Sequence, residues 1–263
     1  MNAPPSGTGP AEVEIAGLSH VYPGGRKALD DVTLRVAPGE RFGIIGPSGA
    51  GKTTLMLHLN GILRPASGGV TVGGRPVLPP DLPLIRRWVG LVFQDPDDQL
   101  FTPTVGEDVA FGPRNMGLDE AEVMQRVHSA LAMMDLDDTA GRSSHELSFG
   151  ERRRVAIATV LAMSSRVVAL DEPFSNLNPA LVQRLIGILR ELPATVIIIS
   201  QSILPLLLSC DRLAVMDRGR IRAVGTTAEI AMNRELLAEC GLDYTFYLDA
   251  YHRLVSGSGD RRA

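Results

Sequence analysis

Short apolar runs separated by turn residues dominate the first third of the chain. Residues 13–22 alternate loosely and end in Pro23-Gly24-Gly25; residues 29–36 alternate again before Ala37-Pro38-Gly39. Both read as strands, because apolar side chains at every second position share one face of a pleated ribbon. Residues 41–45 form a compact apolar strand that runs straight into a glycine-rich loop. After Lys52 the period lengthens: Leu55, Leu57, Leu59 and Ile62 precede a break at Pro65, as in a helix. Residues 70–72 and 89–93 are further predicted strands.

From about residue 106 to 142 the pattern changes, with Val123, Val127, Leu131 and Met134 forming a helical stripe. We take the helical insertion to span about 106–163. Beyond Arg166 the alternation of strand and helix returns, with strands at 167–170, 195–200 and 213–216. This order predicts an α/β fold with a mainly parallel central sheet covered on both faces, an N-terminal antiparallel β region and a helical insertion. Small and polar residues mark 1–11 as a disordered tail, so the folded domain is expected over 12–240, with a C-terminal extension at 241–263 whose end is disordered.

Composition narrows the class. The length of 263 residues suits one large domain, and 44% apolar with 21% charged residues is ordinary for a globular protein. A net charge of −4 argues against a broad nucleic-acid-binding surface. Cys210 and Cys240 match no metal or redox spacing and read as plain thiols in a reducing compartment. The most apolar stretch, 196–210, is interrupted by Ser200, Gln201, Ser202 and Pro205, and it falls short of the roughly 20 residues that span a bilayer. The N-terminus lacks the basic flank and apolar core of a signal peptide. A cytosolic protein is expected, reaching any membrane through a partner.

Two motifs carry chemistry. Gly46-Pro47-Ser48-Gly49-Ala50-Gly51-Lys52-Thr53 fits G-x-x-x-x-G-K-[ST] and sits between a strand and a helix. Glycines let the backbone curl until successive N–H groups converge on phosphate oxygens, and the helix adds its positive end. Lys52 then reaches the β- and γ-phosphates, and the Thr53 hydroxyl ligates Mg²⁺. Farther on, the apolar strand 167–170 ends in Asp171-Glu172. In phosphate-loop proteins an acid at this point holds Mg²⁺, and the next carboxylate serves as general base toward the attacking water.

With these motifs in place the chain resembles the ATP-binding-cassette (ABC) ATPases over about residues 13–225. Tyr22 stands where the family stacks an aromatic ring on adenine, and Gln94 where it has its Q-loop. Leu147-Ser148-Phe149-Gly150-Glu151 resembles the family signature, and Ser175-Asn176-Leu177-Asn178 its D-loop. The stretches Phe93-Gln94-Asp95-Pro96-Asp97-Asp98-Gln99-Leu100-Phe101 and 104–113 are similar to the energy-coupling-factor branch, nearest to its cobalt and nickel members. The resemblance implies Mg-ATP bound by Tyr22 and by Gly46 through Thr53 together with Thr54, and Mg²⁺ held by Thr53, Gln94 and Asp171. It further implies catalysis by Glu172 with Gln94 and the residue at 201. Two subunits, as homodimer or heterodimer, would pair head to tail, so that Ser148, Gly150 and Glu151 serve the partner's nucleotide. Integral membrane transport subunits complete the complex at the cytoplasmic face.

Three positions depart from the family pattern. Phe149 replaces the first glycine of the signature, Asn178 replaces the D-loop aspartate, and Gln201 stands where a switch histidine belongs. Glutamine can donate a hydrogen bond but cannot carry an imidazolium charge. The leading expectation is a transport-coupling ATPase; the alternative is a weakly hydrolytic, nucleotide-gated partner of a competent homologue. An ABC-type ATPase acting on DNA or ribosomes is set aside, because the chain has neither long coiled coils nor a second cassette. Arg152, Arg153 and Arg154 form a basic run that reads as a solvated helix face.

Overall fold

The computed structural model describes residues 9–242. In chain order it contains β1 (Val13–Val21), β2 (Lys27–Val36), β3 (Arg41–Ile45), α1 (Lys52–His58), β4 (Ser67–Val72), β5 (Arg75–Pro76), α2 (Leu82–Trp88) and β6 (Val89–Val92). Three helices follow, α3 (Val105–Asn115), α4 (Glu120–Met133) and α5 (Phe149–Met163). The chain then runs through β7 (Val167–Asp171), α6 (Pro179–Glu191), β8 (Thr195–Ser200), α7 (Ile203–Ser209), β9 (Arg212–Asp217), β10 (Arg220–Thr226), α8 (Thr227–Met232) and α9 (Arg234–Glu239).

The strands form two sheets, β2-β1-β4-β5 and β10-β9-β3-β8-β7-β6. The first is antiparallel throughout. The second is parallel except at its edge, where β10 returns against β9. The expected fold class is therefore observed. Side-chain alternation makes the central sheet two-faced: Val168 and Leu170 join one apolar cluster with the helices from α3 onward, while Val167 and Ala169 join another with β1, β2, α1 and α2. One face is thus covered largely by the antiparallel sheet, where the sequence pattern led us to expect helices.

Several elements escaped the sequence reading. β10 has no fully buried position, so it lacks the apolar signal of a core strand. It is created by a tight turn at Arg218 (φ 46°) and Gly219 (φ 78°). α2 and α7 are both 7 residues long, too short to show a helical period. At the N-terminus, Ala11 is buried where a tail was expected. Its N–H donates to the Arg166 carbonyl and its carbonyl accepts from Thr195 Oγ1. Residues 1–8 and 243–263, including the rest of the expected tail and most of the extension, lie outside the described residues. Among the described residues no helix is long and apolar enough to cross a membrane. Cys210 and Cys240 are both free and buried, and burial pushes the Cys210 thiol up to about 12.

Candidate functional site

In a parallel sheet the carboxyl ends of neighbouring strands open at one edge, and ligands bind there. β6, β7, β8 and β3 are consecutive parallel neighbours, so their ends bring Gln94, Asp171-Glu172, Gln201 and the phosphate-binding loop together. Tyr22, Ser48 through Thr54, Gln94, Asp171, Glu172 and Gln201 line one open cleft of about 340 Å³, with Arg26, Lys27 and Ala28 on its rim.

The loop after β3 can exist only with glycine at two of its positions. A Cβ on Gly46 would lie 2.1 Å from the Met216 carbonyl oxygen, and Gly51 takes φ 103° with the Ala28 carbonyl 2.5 Å from any Cβ. Gly51 is the N-cap of α1 and supplies no side-chain cap, which leaves the first N–H groups of the helix for a ligand. Lys52 is buried, and its Nζ donates to the carbonyls of Gly46 at 2.7 Å and Pro47 at 3.0 Å. Burial holds its pKa below the ordinary lysine value, against the opposing charges of Glu172 and Asp171.

Asp171 ends β7 fully buried, with Oδ2 accepting from Thr53 Oγ1 at 2.5 Å. Burial raises its pKa above the usual carboxylate range; the Thr53 hydrogen bond and the charges of Lys52 and Arg153 oppose that rise. A hydroxyl and a carboxylate oxygen in contact, with the exposed Gln94 along the same cleft, form a hard oxygen-donor set that suits Mg²⁺. Among the described residues no three His, Cys, Asp or Glu cluster as a metal cage. Mg²⁺ needs no such cage, since it binds through one or two carboxylates plus substrate phosphates.

Glu172 follows at φ 49°, a conformation uncommon for any residue with a Cβ. Its surroundings hold it there. The main-chain N–H donates to the Ile199 carbonyl at 2.9 Å. Oε2 accepts from Ser200 Oγ at 2.9 Å and Ser175 Oγ at 3.5 Å, and Oε1 accepts from the Gln201 N–H at 2.7 Å. Gln201 therefore reaches the site through its backbone, next to the carboxylate. Tyr22 sits at the far end of the cleft, its hydroxyl 3.1 Å from Thr54 Oγ1 and one ring face under the Arg26 guanidinium at 5.3 Å.

Ser148, Gly150, Glu151 and Asn178 do not line this cleft. Ser148 caps α5 in a capping box with Glu151, whose pKa is lowered by hydrogen bonds from Ser148. Asn178 caps α6, with Oδ1 accepting from the Leu181 N–H at 2.9 Å. Between Ser148 and Gly150, Phe149 lines a neighbouring cavity together with Thr53, Gln94 and Asn176.

The arginine run corrects the sequence reading, because it is not a solvated face. Arg153 is 1% exposed and Arg152 pairs with Asp97 at 3.0 Å. Arg154 donates to the carbonyls of Met134 and Asp135. The cause is tertiary: α5 lies between the loop after β6 and the end of α4, so three consecutive residues on different sides of one helix all meet backbone carbonyls or carboxylates. Sequence reasoning also missed Ser200 and Gln99. Ser200 was visible as the one polar residue ending an apolar strand. Gln99 accepts from the Phe93 N–H at 3.0 Å and donates to the Ala156 carbonyl at 2.8 Å, a bridge with no local signal.

A phosphate-binding loop after the first parallel strand, with an acidic pair at the end of a nearby strand, defines the class of phosphate-loop nucleotide-binding ATPases. Comparison with known proteins narrows this further. The family model described as "ABC transporter" matches residues 29–175. The chain is 48% identical over 254 residues to a putative ABC transporter ATP-binding protein of Streptomyces avermitilis, covering 95% of this chain and 97% of that one. It is 46% identical over 237 residues to the cobalt import ATP-binding protein CbiO of Rhodobacter capsulatus, covering 88% and 85%. It is 43% identical over 235 residues to the energy-coupling factor transporter ATP-binding protein EcfA of Methanoculleus marisnigri, again covering 88% and 85%. The solved structure of cbiO1 from Clostridium perfringens, described as part of the ABC transporter complex cbiONQ, superposes with a TM-score of 0.75 at 34% identity over 91% of this chain and 98% of that one. The chain belongs to the ABC transporter family.

Proposed function

We propose that this chain is the ATP-hydrolysing subunit of an energy-coupling-factor-type importer that takes up cobalt or nickel ions. The observation that carries the reading is the meeting of Lys52, Thr53, Asp171, Glu172 and Gln94 at one sheet edge. In this reading the ring of Tyr22 stacks on adenine, exchanging the Arg26 guanidinium for the base. The N–H groups from Ser48 to Thr54 and the Lys52 ammonium hold the phosphates. Thr53, Asp171 and Gln94 would hold Mg²⁺, which supplies positive charge to the β- and γ-phosphoryl oxygens. Glu172, aimed by Ser200 and the Gln201 N–H, orients the attacking water and takes its proton.

Ser148, Gly150 and Glu151 serve the nucleotide of a second ABC ATPase, identical or homologous, and Asn178 faces the same junction. ATP then bridges the two chains, so binding closes the dimer and hydrolysis releases it. The membrane subunit docks beside the Gln94 loop at the cytoplasmic face. The exposed rings of Phe101 and Phe111, 4.9 Å apart, support this, since a pair of phenyl rings left in water suits burial by a partner. The CbiO and EcfA relatives support the choice of import system and cargo. Deleting the subunit is expected to lower cellular cobalt or nickel accumulation at limiting supply. Unchanged metal uptake together with a new vitamin requirement would move the cargo to the vitamin branch.

Gln201 makes a second expectation specific. Glu172 is held by the Gln201 main-chain N–H, which any residue but proline supplies, so Gln201→His leaves the general base in place. An imidazolium there would add a charged donor where transition-state charge develops. A preorganised donor of that kind is worth roughly 3 kcal/mol, and glutamine already provides part of it. The wild type is expected to be a slow ATPase and Gln201→His to raise turnover on the order of tenfold with little change in ATP affinity. Steady-state phosphate release decides the point, and equal rates for the two proteins would show that glutamine serves as well here. If rescue is incomplete, Asn178→Asp should add to it.

A further inference from the structure

We propose that Arg153 is a positioning residue for the magnesium site of its own chain, holding the Gln94 loop and the end of β7 in fixed relation from within the signature helix. The inference rests on the assignment of Asp171 and Gln94 to Mg²⁺ made above.

β6 and β7 pair in parallel as far as Val92 opposite Leu170. Just beyond, the strands part: Asp171 continues beside Ile199 of β8, while Phe93 and Gln94 turn away into the loop. The ladder can no longer satisfy the carbonyls at this fork, and buried carbonyls need donors. Arg153, one turn into α5, supplies them. Its Nη1 donates to the carbonyls of Phe93 at 2.9 Å and Asp171 at 3.4 Å, and its Nη2 donates to the carbonyl of Gln94. One planar group thus ties together the backbones of two residues assigned to the metal.

Stability alone is a weak reason for this arrangement. Arg153 is buried, and a buried cation is costly where an apolar side chain would pack more simply. A guanidinium has what an apolar group lacks, a rigid fork of donors that sets the spacing of its acceptors. Two further ties run from the same helix to the same loop, Gln99 to Ala156 and Asp97 to Arg152. The loop is therefore anchored to α5 on both sides of Gln94, whose own side chain is exposed toward the cleft. α5 begins with Phe149 and Gly150, outside that cleft. A displacement of this helix by whatever the signature contacts is transmitted through Arg153 to the spacing of Gln94 and Asp171.

The test uses Arg153→Met, which keeps the stem and removes the donors, and Arg153→Lys, which keeps the charge on a single nitrogen. With a non-hydrolysable ATP analogue bound, Mn²⁺ standing in for Mg²⁺ is titrated by the loss of its free EPR signal. Outer-shell partners typically set metal affinity by about 10–100-fold, so Mn²⁺ affinity is expected to fall about tenfold in Arg153→Met and at least about threefold in Arg153→Lys. Analogue affinity in EDTA should stay within about twofold, because Arg153 touches no loop residue that holds phosphate. Wild-type Mn²⁺ affinity in the folded variants, even with a lowered melting temperature, would reduce Arg153 to a structural brace and overturn the proposal. Should Arg153→Met fail to fold, wild-type affinity in Arg153→Lys overturns it equally. Asp171→Asn separates the two levels. If it leaves Mn²⁺ affinity unchanged, the magnesium assignment fails and this inference with it. If it abolishes tight binding while the Arg153 variants bind as wild type, only the inference fails.

Discussion

Glu172→Gln is expected to lower steady-state ATP turnover by about a hundred- to ten-thousand-fold while ATP still binds, the usual cost of losing a general base. The geometry makes this a clean substitution. Glu172 stands in a left-handed conformation braced by the Ile199 carbonyl, and its carboxylate is aimed by Ser200 and the Gln201 N–H. A glutamine amide keeps one oxygen to accept from those donors, and its NH₂ can donate to a seryl hydroxyl. Shape and orientation survive; the capacity to take a proton does not. If ATP bridges two chains as proposed, the variant, which does not hydrolyse it, should also accumulate as a nucleotide-bound dimer. Phosphate release and size-exclusion chromatography with and without Mg-ATP measure both effects. Wild-type turnover in the variant would make Glu172 a bystander and remove the catalytic assignment.

Lys52→Ala is expected to weaken Mg-ATP binding by at least about a hundredfold. Hydrogen bonds to charged groups contribute about 1.5–3 kcal/mol each, and the ammonium can offer the triphosphate more than one. The side chain is buried and already engaged, its Nζ donating to the carbonyls of Gly46 and Pro47. Those bonds keep the ammonium inside the loop before any nucleotide arrives, so little reorganisation is needed when phosphate replaces the carbonyls. The substitution removes both the phosphate ligand and a brace of the empty loop. It also removes the burial of a cation, whose pKa is lowered by that burial, so the fold should survive. Calorimetric titration with Mg-ATP, alongside thermal melting, separates the two consequences. Equal ATP affinity in the variant and the wild type would take away the basis of the nucleotide assignment.

Chemistry that depends on residues close in sequence was legible without a structure. The loop from Gly46 to Thr53 needs glycines at fixed separations because of its own backbone path, and a Cβ on Gly46 or Gly51 would strike a carbonyl. The strand ending in Asp171-Glu172 is likewise local, four apolar positions, Val167 to Leu170, followed by a carboxylate pair. Alternating strand and helix patterns set the α/β class, since a period of two or of 3.6 residues is a property of short segments.

What could not be read were relations across the chain. That Thr53 meets Asp171, or that Ser200 and Gln201 hold Glu172, follows from strand order in the sheet, with β8 between β3 and β7. The covering of one face by an antiparallel sheet, and the edge strand β10 with no buried position, have the same origin. Arg153 shows the difference most sharply. By sequence it is one of three consecutive arginines, and charge runs usually face water. By structure it alone of the three enters the fork between β6 and β7, because α5 is pressed against that point by contacts to residues more than fifty positions away. Local sequence determined the path of the glycine-rich loop and the carboxylate pair at the end of β7, since backbone conformation and residue chemistry are short-range. Tertiary packing decided which polar groups lose their water and must find a partner, since burial is a property of the whole fold.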